Sequence, residues 1–300
     1  MIEIKNISKS FGSLLALDNV SATISEGHVF GLIGTNGAGK STLLRTLCGI
    51  LKADQGEILI DGEPIFENLA AKNKIFYISD DQYFFPNGTP MDMVNYYRSF
   101  YPDFDVERFL NLLDVLKLQK DRRINTFSKG MKKQLSVLLG VCSGCKYLLC
   151  DETFDGLDPV IRQAVKSLFI KEIDERGLTP IIASHNLREL EDICEHVGLL
   201  HKGGILFTQD LEDMKLGIFK LQCVFREESH IDQIKEKFIT LKEERRGSLL
   251  TFTMRGSSKD MDDFMESLQP IFYERLPLSL EEIFISETEV QGYDFSNLYS

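Results

Sequence analysis

The chain has 300 residues, of which 43% are hydrophobic and 27% charged, and its formal net charge at pH 7 is −12. This length predicts about two domains, and the composition is that of a globular protein, which excludes a disordered or fibrous one. Acidic residues outnumber basic ones both in 1–214 and in 215–300. We therefore expect no general binding to nucleic acid or to anionic lipid, because such binding needs a basic face.

The start of the chain and its apolar runs predict a soluble intracellular protein. Met1 leads directly into an alternating, strand-like pattern, without the apolar core of a signal peptide. The longest apolar region, 135–150, is too short for a membrane span and contains a lysine. The six cysteines lack framework spacing, which fits a reducing compartment. Cys142, Cys145 and Cys150 have no nearby histidine or second CxxC to complete a zinc site, so we interpret them as structural thiols.

Strand-like and helix-like segments alternate along residues 1–210, which predicts an α/β domain with a mainly parallel sheet. The predicted strands are Ile2–Ile7, Val29–Ile33, Gly56–Ile60, Ile75–Ile78, Tyr147–Cys150, Pro180–Ala183 and His196–His201. The predicted helices are Lys40–Cys48, Met91–Phe100, Asp105–Leu116, Lys129–Ser143, Pro159–Arg176 and Leu187–Cys194. The mostly helical stretch from about residue 83 to 145 is interpreted as a helical subdomain inserted into the sheet domain.

The pattern changes after Gly203-Gly204, and residues 215–300 are predicted to form a small α+β accessory domain. A strand, a helix, two strands, a helix and a strand are predicted at 219–225, 231–238, 239–244, 249–254, 258–268 and 271–275. A closing helix is predicted at Ser279–Glu289. This order of elements is typical of a ferredoxin-like unit.

The most specific feature is a glycine-rich segment between the apolar run Val29–Ile33 and a helical run. It matches the pattern GxxxxGK[ST] in full, in the strand–loop–helix context that the pattern requires. Its residues are Gly34, Thr35, Asn36, Gly37, Ala38, Gly39, Lys40 and Ser41, followed by Thr42. The backbone N–H groups of such a loop hold phosphate oxygens, the lysine reaches the β- and γ-phosphates, and the serine hydroxyl binds magnesium.

The apolar strand Tyr147–Cys150 ends in two carboxylates, Asp151 and Glu152. We expect Asp151, at the strand end, to orient magnesium through water. We expect Glu152 to take a proton from an attacking water. An apolar strand followed by Asp-Glu is a weak signal alone, and it gains specificity from the phosphate loop.

A third segment, Phe127-Ser128-Lys129-Gly130-Met131, precedes a helical run and is similar to the LSGGQ signature of the ABC transporter ATP-binding subunits. Ser128 and Gly130, the phosphate-facing positions of that signature, are retained. With the phosphate loop and the two carboxylates in the same order and spacing, residues 1–210 resemble that family. The resemblance implies a P-loop ATPase domain of the ABC type.

The resemblance also assigns roles to three single residues. Asp158 lies at the acidic position of the loop that follows the catalytic glutamate. His185, after Ala183-Ser184, resembles the switch histidine at a strand end and joins Lys40 and Glu152 as a catalytic candidate. Phe11 falls where the family stacks an aromatic ring on adenine.

Several positions depart from the family pattern. The family usually has glutamine after the strand that enters its helical subdomain. Aligning on Tyr77-Ile78 puts Asp80 there and Gln82 two residues later, and either is a candidate contact to magnesium or water. Thr153 stands where proline is usual, and Lys129 adds a positive charge near the nucleotide. The phosphate loop, the two carboxylates and the histidine are retained, so we expect an active ATPase.

The resemblance implies an ATPase subunit that uses ATP and magnesium to power transport through a separate multi-span membrane permease. It implies head-to-tail pairing with a second ATP-binding subunit, as a homodimer or a heterodimer, at the inner face of the cell membrane. Exposed aromatics at Tyr83–Phe85 and Tyr96-Tyr97 are candidates for permease contact. Export is favoured by analogy with small bacterial exporters, and the cargo is left open.

The sequence disfavours two other classes of function. A soluble ABC ATPase of DNA repair or translation usually has coiled coils, zinc modules or tandem nucleotide domains, and the sequence has none of these features. A regulatory module with a vestigial ATPase is disfavoured by Lys40, Asp151, Glu152 and His185.

Overall fold

The computed structural model describes residues 1–211, 217–227 and 229–290, and the chain divides into two compact units, Met1–Thr208 and Gln209–Ser300. The accessory domain predicted for 215–300 therefore includes positions outside the described residues. Among the described residues, no helix combines the length and the apolarity that a membrane span requires.

The first unit alternates strands and helices. Its strands are β1 (Ile2–Phe11), β2 (Leu14–Ile24), β3 (Phe30–Ile33), β4 (Gln55–Ile60), β5 (Glu63–Pro64), β6 (Ile75–Ile78), β7 (Tyr147–Asp151), β8 (Thr179–Ser184), β9 (His196–His201) and β10 (Gly204–Asp210), the last of which leads into the second unit. Its helices are α1 (Lys40–Leu47), α2 (Leu69–Lys72), α3 (Pro90–Tyr97), α4 (Val106–Val115), α5 (Lys129–Cys142), α6 (Pro159–Arg176) and α7 (Leu187–Glu191).

A six-stranded sheet with the order β10-β9-β3-β8-β7-β6 forms the centre of the first unit. The neighbouring pairs β9–β3, β3–β8, β8–β7 and β7–β6 are parallel. Every residue of β3, β7 and β8 is buried, which explains why these strands appear in the sequence as unbroken apolar runs. The carboxyl ends of parallel strands share one edge, so the segments after β3, β6, β7 and β8 come together there.

The prediction of one mainly parallel sheet was wrong for the two predicted strands Ile2–Ile7 and Gly56–Ile60. Strands β1 and β4 instead belong to a second, four-stranded sheet with the order β2-β1-β4-β5, whose strand pairs are antiparallel. Strand β2 was missed because its buried side chains, Leu17, Val20 and Ile24, recur every three or four residues. Register shifts in its pairing with β1 produce this spacing, which resembles a helical period more than a strand period.

Helices α3, α4 and α5 lie in sequence between β6 and β7, where a helical subdomain was predicted. Helix α3 begins with a capping box formed by Thr89 and Asp92, and α4 is capped by Asp105. Helix α4 buries Phe109 and Leu113. The Arg108 guanidinium of α4 pairs with the fully buried Glu172 of α6.

The second unit has the predicted order of elements. They are β11 (Ile218–Val224), α8 (Ser229–Lys237), β12 (Ile239–Arg246), β13 (Leu249–Arg255), α9 (Ser258–Leu268), β14 (Phe272–Leu276) and α10 (Leu280–Val290). The sheet order is β12-β13-β11-β14, and each neighbouring pair is antiparallel. Leu221, Phe252, Met254, Met261 and Met265 form the centre of its own hydrophobic core.

Candidate functional site

The phosphate loop, Gly34–Ser41, connects β3 to α1, and its glycines are required by close backbone contacts. A methyl group at Gly34 would lie 2.5 Å from the carbonyl oxygen of Leu200, and one at Gly39 would lie 2.5 Å from that of Ala16. Gly39 also has a φ of +108°, which side chains strongly disfavour. Gly39 is the N-cap of α1, and no side chain caps this helix. The helix N-terminus is therefore available to an anion.

Lys40 occupies the centre of the loop. Its side chain is only 6% exposed. The Nζ atom donates to the carbonyl oxygens of Gly34 at 2.8 Å and Thr35 at 3.2 Å, and lies 3.5 Å from Oε1 of Glu152. The loop thus holds one ammonium group at the wall of the adjoining cavity, where this group can neutralise the charge of a phosphate.

Asp151, at the end of β7, is 1% exposed and accepts two hydrogen bonds. The Ser41 hydroxyl donates to Oδ1 at 3.1 Å, and the Tyr77 hydroxyl donates to Oδ2 at 3.0 Å. Burial raises the pKa of the Asp151 carboxyl, and the two hydroxyl donors partly oppose that rise. Burial, with the charge of Asp151 as a further cause, raises the pKa of Tyr77 to about 12. The Tyr77 hydroxyl therefore stays protonated and acts as a donor at neutral pH.

Glu152 follows β7 in an unusual backbone conformation, with a φ of +48°. For a residue other than glycine this costs roughly 1–3 kcal/mol, and such strain is concentrated at functional sites. The turn directs the carboxylate between Lys40 and His185. Oε2 lies 3.0 Å from Nδ1 of His185, so the imidazole orients the carboxylate. A carboxylate held in this way can accept a proton from a bound water.

Lys40, Ser41 and Glu152 line a cavity of about 590 Å³, whereas Asp151 and His185 are not part of its lining. Nine predicted site residues line it: Phe11, Asn36, Gly37, Gly39, Lys40, Ser41, Thr42, Asp80 and Glu152. Leu14, Leu15, Ala16, Lys202 and Gly203, which the sequence did not indicate, complete the lining. Phe11 and the two leucines of this lining suit a base, and the ammonium groups of Lys40 and Lys202 suit its phosphates. Asp80 and Glu152 add two carboxylates to the lining. A depression of about 770 Å³ beside α4 contains none of the predicted residues.

Three predicted binding residues lie elsewhere on the described surface of the first unit. Ser128 is exposed and caps α5 by accepting from the Met131 N–H at 3.1 Å. Asp158 is exposed and caps α6 by accepting from the N–H groups of Val160 and Ile161. A methyl group at Gly130 would lie 3.5 Å from the carbonyl oxygen of Gly156, so the two loops are neighbours. These residues do not line the cavity formed by the phosphate loop.

The geometry distinguishes Asp80 from Gln82. The Asp80 side chain is 61% exposed and lines the cavity, and its Oδ1 lies 3.4 Å from Nζ of Lys133. Gln82 does not line the cavity, and its Nε2 is buried without a hydrogen-bond partner among the described residues. Asp80 is thus the one of the two whose side chain can reach a ligand there.

Sequence reasoning missed Tyr77 and Lys133. Tyr77 pairs with Leu149 across β6 and β7, which brings its hydroxyl to Asp151, and only the sheet order reveals this contact. Lys133 lies on α5, two residues beyond the signature segment, 127–131. It is flanked by Lys132 and Gln134, so the sequence around it carried no signal of a buried charge.

The oxygens of Ser41 and Asp151 suit magnesium, which prefers hard oxygen ligands. The described residues contain no group of three or more His, Cys, Asp or Glu that could hold a metal. The protein would therefore supply only part of a coordination shell, as in sites that phosphate oxygens and water complete. The residues present fit ATP with magnesium.

Comparison with known proteins gives a consistent result. The family model described as ABC transporter matches residues 17–155. The chain is 33% identical over 287 residues to the ABC transporter ATP-binding protein YtrB of Bacillus subtilis (strain 168), covering 96% of this chain and 98% of that protein. It is 32% identical to the methionine import ATP-binding protein MetN of Legionella pneumophila (strain Paris), over 71% of this chain and 66% of that protein. It is 30% identical to the bacitracin transport ATP-binding protein BcrA of Bacillus licheniformis, over 72% of this chain and 71% of that protein.

Solved structures agree with these relatives. An ATP-binding subunit of an ABC transporter superposes with a TM-score of 0.67 and 24% identity, over 72% of this chain and 92% of that one. A dimeric ATP-binding cassette in a post-hydrolysis state, bound to ADP and Pi, superposes with a TM-score of 0.64 and 22% identity. The superposition covers 70% of this chain and 99% of that one. These likenesses confirm the predicted ABC-type fold of the first unit. The match to YtrB spans both units of the chain. The chain therefore belongs to the ATP-binding proteins of ABC transporters, and it is an ATPase.

Proposed function

We propose that the chain hydrolyses ATP at the phosphate-loop cavity and that the work drives export through a separate membrane permease. The arrangement of Lys40, Glu152 and His185 at the edge of the parallel sheet carries this proposal. It supports phosphoryl transfer by positioning and charge neutralisation, which is how such enzymes achieve most of their rate.

In the proposed mechanism each part of the cavity has one task. Phe11 stacks on the adenine, and the backbone of Gly34–Gly39 with Lys40 holds the phosphates. Ser41 and Asp151 hold magnesium, with Asp80 as a further candidate, and the metal would neutralise charge on the phosphate oxygens. Glu152 takes the proton of the attacking water, and His185 keeps its carboxylate in place.

Ser128, Gly130 and Asp158 are proposed to act on the nucleotide of a second subunit. Support comes from the exposure of Ser128 and Asp158, the partial exposure of Gly130, and the position of all three outside the cavity of their own chain. Two subunits paired head to tail would bring the signature segment of each to the phosphates of the other. We leave open whether the partner is a second copy or a related ATP-binding chain.

The permease is proposed to dock on an aromatic cluster of the helical subdomain, formed by Tyr83, Phe85, Tyr96 and Phe100. Tyr83 is 73% exposed, and the ring centroids of Phe85 and Tyr96 lie 5.0 Å apart. Aromatic residues are common anchors at protein interfaces. We accordingly propose a peripheral location at the inner face of the cell membrane.

We propose that residues 1–210 form the ATP-binding domain, with the helical subdomain at about 83–145, and that residues 215–300 form an accessory domain.

The direction of transport rests on analogy. Relatives are named both for import and for bacitracin transport. Export is proposed on the analogy with small bacterial exporters in which an ATP-binding chain works with a separate permease.

The catalytic assignment is tested by comparing Glu152→Gln with Lys40→Ala. Glu152→Gln should bind ATP normally but lose about 100- to 10,000-fold in turnover, the usual effect of losing a general base. Lys40→Ala should lose ATP binding itself, measured with a fluorescent ATP analogue. Near wild-type hydrolysis by Glu152→Gln would refute the role proposed for this residue.

A further inference from the structure

Lys133 on α5 is a buried charge for which the mechanism above has no task. The residue is 8% exposed. Its Nζ donates to the main-chain carbonyl oxygen of Glu152 at 2.6 Å and lies 3.4 Å from Oδ1 of Asp80. Burying an ammonium group is unfavourable unless it is paired and hydrogen-bonded, so these contacts hold the lysine in a defined place.

The hydrogen bond from Lys133 acts on a strained part of the backbone. Glu152 has a φ of +48°, and its N–H donates to the carbonyl oxygen of Ala183 at 3.0 Å. Its own carbonyl oxygen accepts from Lys133 and, at 3.3 Å, from the N–H of Asp155. Both peptide groups of Glu152 are therefore fixed, and the Lys133 bond is the shorter of the two on the carbonyl side.

The backbone of Glu152 determines where its carboxylate points. The carboxylate must stay between Nζ of Lys40, at 3.5 Å, and Nδ1 of His185, at 3.0 Å. Relaxation of the backbone out of the left-handed region would rotate the side chain away from both partners. A displacement of about 1 Å at a reacting group commonly lowers the rate by about 100-fold.

We propose that Lys133 is a positioning residue that holds Glu152 in its left-handed conformation and anchors Asp80 at the cavity wall. The inference rests on the catalytic role proposed above for Glu152. Because Lys133 is five residues beyond Ser128 on the same helix, it also links the helix that starts at the signature segment to the catalytic carboxylate.

The two contacts of Lys133 differ in weight. Asp80 is 61% exposed, and ion pairs with an exposed partner contribute little. In contrast, Nζ of Lys133 donates directly to the carbonyl oxygen of Glu152, which lies within the turn that carries the carboxylate. The hydrogen bond to Glu152 therefore dominates, and loss of the Lys133 ammonium group should act on turnover mainly through Glu152.

The chain offers a closely matched control for Lys133. The side chain of Lys166 on α6 is 6% exposed, and its Nζ lies 2.9 Å from Oδ2 of Asp192, whose side chain is 70% exposed. Both lysines are buried and pair with an exposed aspartate, but neither Lys166 nor Asp192 lines the nucleotide cavity. Lys166→Met thus reproduces the loss of a buried ammonium group away from the site.

The experiment compares Lys133→Met and Lys166→Met in the full chain. Lys133→Met should lower kcat about 10- to 100-fold, leave KM and the Kd for a fluorescent ATP analogue within about threefold, and be partly rescued in Lys133→Arg. Hydrogen exchange in the nucleotide-free protein should speed up at residues 148–157 in Lys133→Met and stay at the wild-type rate in Lys166→Met. Equal kcat values for the two variants, or unchanged exchange at 148–157 in Lys133→Met, would overturn the inference.

Failure of this inference differs from failure of the catalytic proposal. If Glu152→Gln keeps wild-type turnover, the role of Glu152 is refuted and Lys133 has nothing to position. If Glu152→Gln is inactive and Lys133→Met turns over normally, only the inference on Lys133 fails. If Glu152 is the catalytic base and Lys133 positions it, adding Lys133→Met to Glu152→Gln should lower kcat no further, because the positioned carboxylate is already lost. If Lys133→Met does not fold, the same measurements on Lys133→Gln decide the question.

Discussion

The phosphate loop and the signature segment both lead into a helix, but the two helix N-termini are built differently. Helix α1 begins at Gly39 with no side-chain cap, and its first residue, Lys40, is buried in the cavity wall. Helix α5 begins at Ser128, whose hydroxyl already accepts the Met131 N–H and faces solvent. The first N-terminus is open to an anion within its own chain. The second has one N–H group already bonded within the chain, and under the proposed pairing it would exchange that bond for a phosphate brought by another chain.

Under the proposed head-to-tail pairing, each chain would hold two unlike halves of a nucleotide site. The half around the phosphate loop would bind without help, whereas the half around Ser128 would contribute only after two chains meet. Mutations in the two halves should therefore separate ATP binding from association.

The largest effect is expected from Ser128→Arg introduced into Glu152→Gln. With ATP and magnesium, Glu152→Gln alone should form a stable dimer by light scattering, because unhydrolysed ATP keeps bridging the two chains. Ser128→Arg should abolish the dimer and leave ATP binding by the single chain intact, since a bulky cation blocks only the opposing site.

Ser257→Arg is the matched control. Ser257 is another exposed serine at a helix N-cap, and it accepts from the Asp260 N–H in the second unit. A dimer that persists in Ser128→Arg, or that is lost equally in Ser257→Arg, would contradict the two-half description.

A smaller effect is expected on the cavity side from Phe11→Ala. The ring is 47% exposed, with Nζ of Lys9 at 5.7 Å from its centroid. Loss of a base-stacking ring costs about 1–3 kcal/mol, so the Kd for ATP should rise at least fivefold. The control is Phe66→Ala, because Phe66 is exposed and has Nζ of Lys52 5.0 Å from its ring. Equal affinities of the two variants would exclude stacking on Phe11.

The two halves should also respond oppositely in stability. Burial raises the pKa of the Asp151 carboxyl, so the folded protein favours the protonated form and loses stability as the pH rises through the raised value. Without magnesium, Asp151→Asn should therefore raise Tm at pH 8 and raise it less at pH 4. Ser128→Ala removes an N-cap worth about 1 kcal/mol and should lower Tm by about 2–4 °C. A fall in Tm for Asp151→Asn at pH 8 would show that the ionised carboxylate does not destabilise the folded protein.

The smallest effect on hydrolysis is expected from Tyr83→Ala. Tyr83 lies on the aromatic cluster, outside the nucleotide cavity, and is 73% exposed. Basal ATP turnover should stay within twofold of wild type, while recovery of a membrane permease in pull-downs falls. Phe84→Ala is expected to behave in the same way. Parallel loss of turnover and of permease binding would indicate a folding defect instead.

The sequence identified most of the cavity because its chemistry is local. Eight consecutive residues form the phosphate loop, and nine of the predicted site residues line one cavity. The choice between Asp80 and Gln82 could not be made from the sequence, because both follow β6 within four residues and differ only in which side chain reaches the cavity.

The sequence by itself determined the alternation of strands and helices, the phosphate loop and the element order of the second unit, since these depend on periodicity, glycine conformation and helix caps. The tertiary structure alone decided that β1 and β4 leave the parallel sheet, that Tyr77 donates to Asp151, and that Lys133 holds Glu152. These last two contacts join residues 74 and 19 positions apart. Local preferences fix the conformation of each segment, but which segments become neighbours is set by strand order and register, and no short stretch of sequence encodes them.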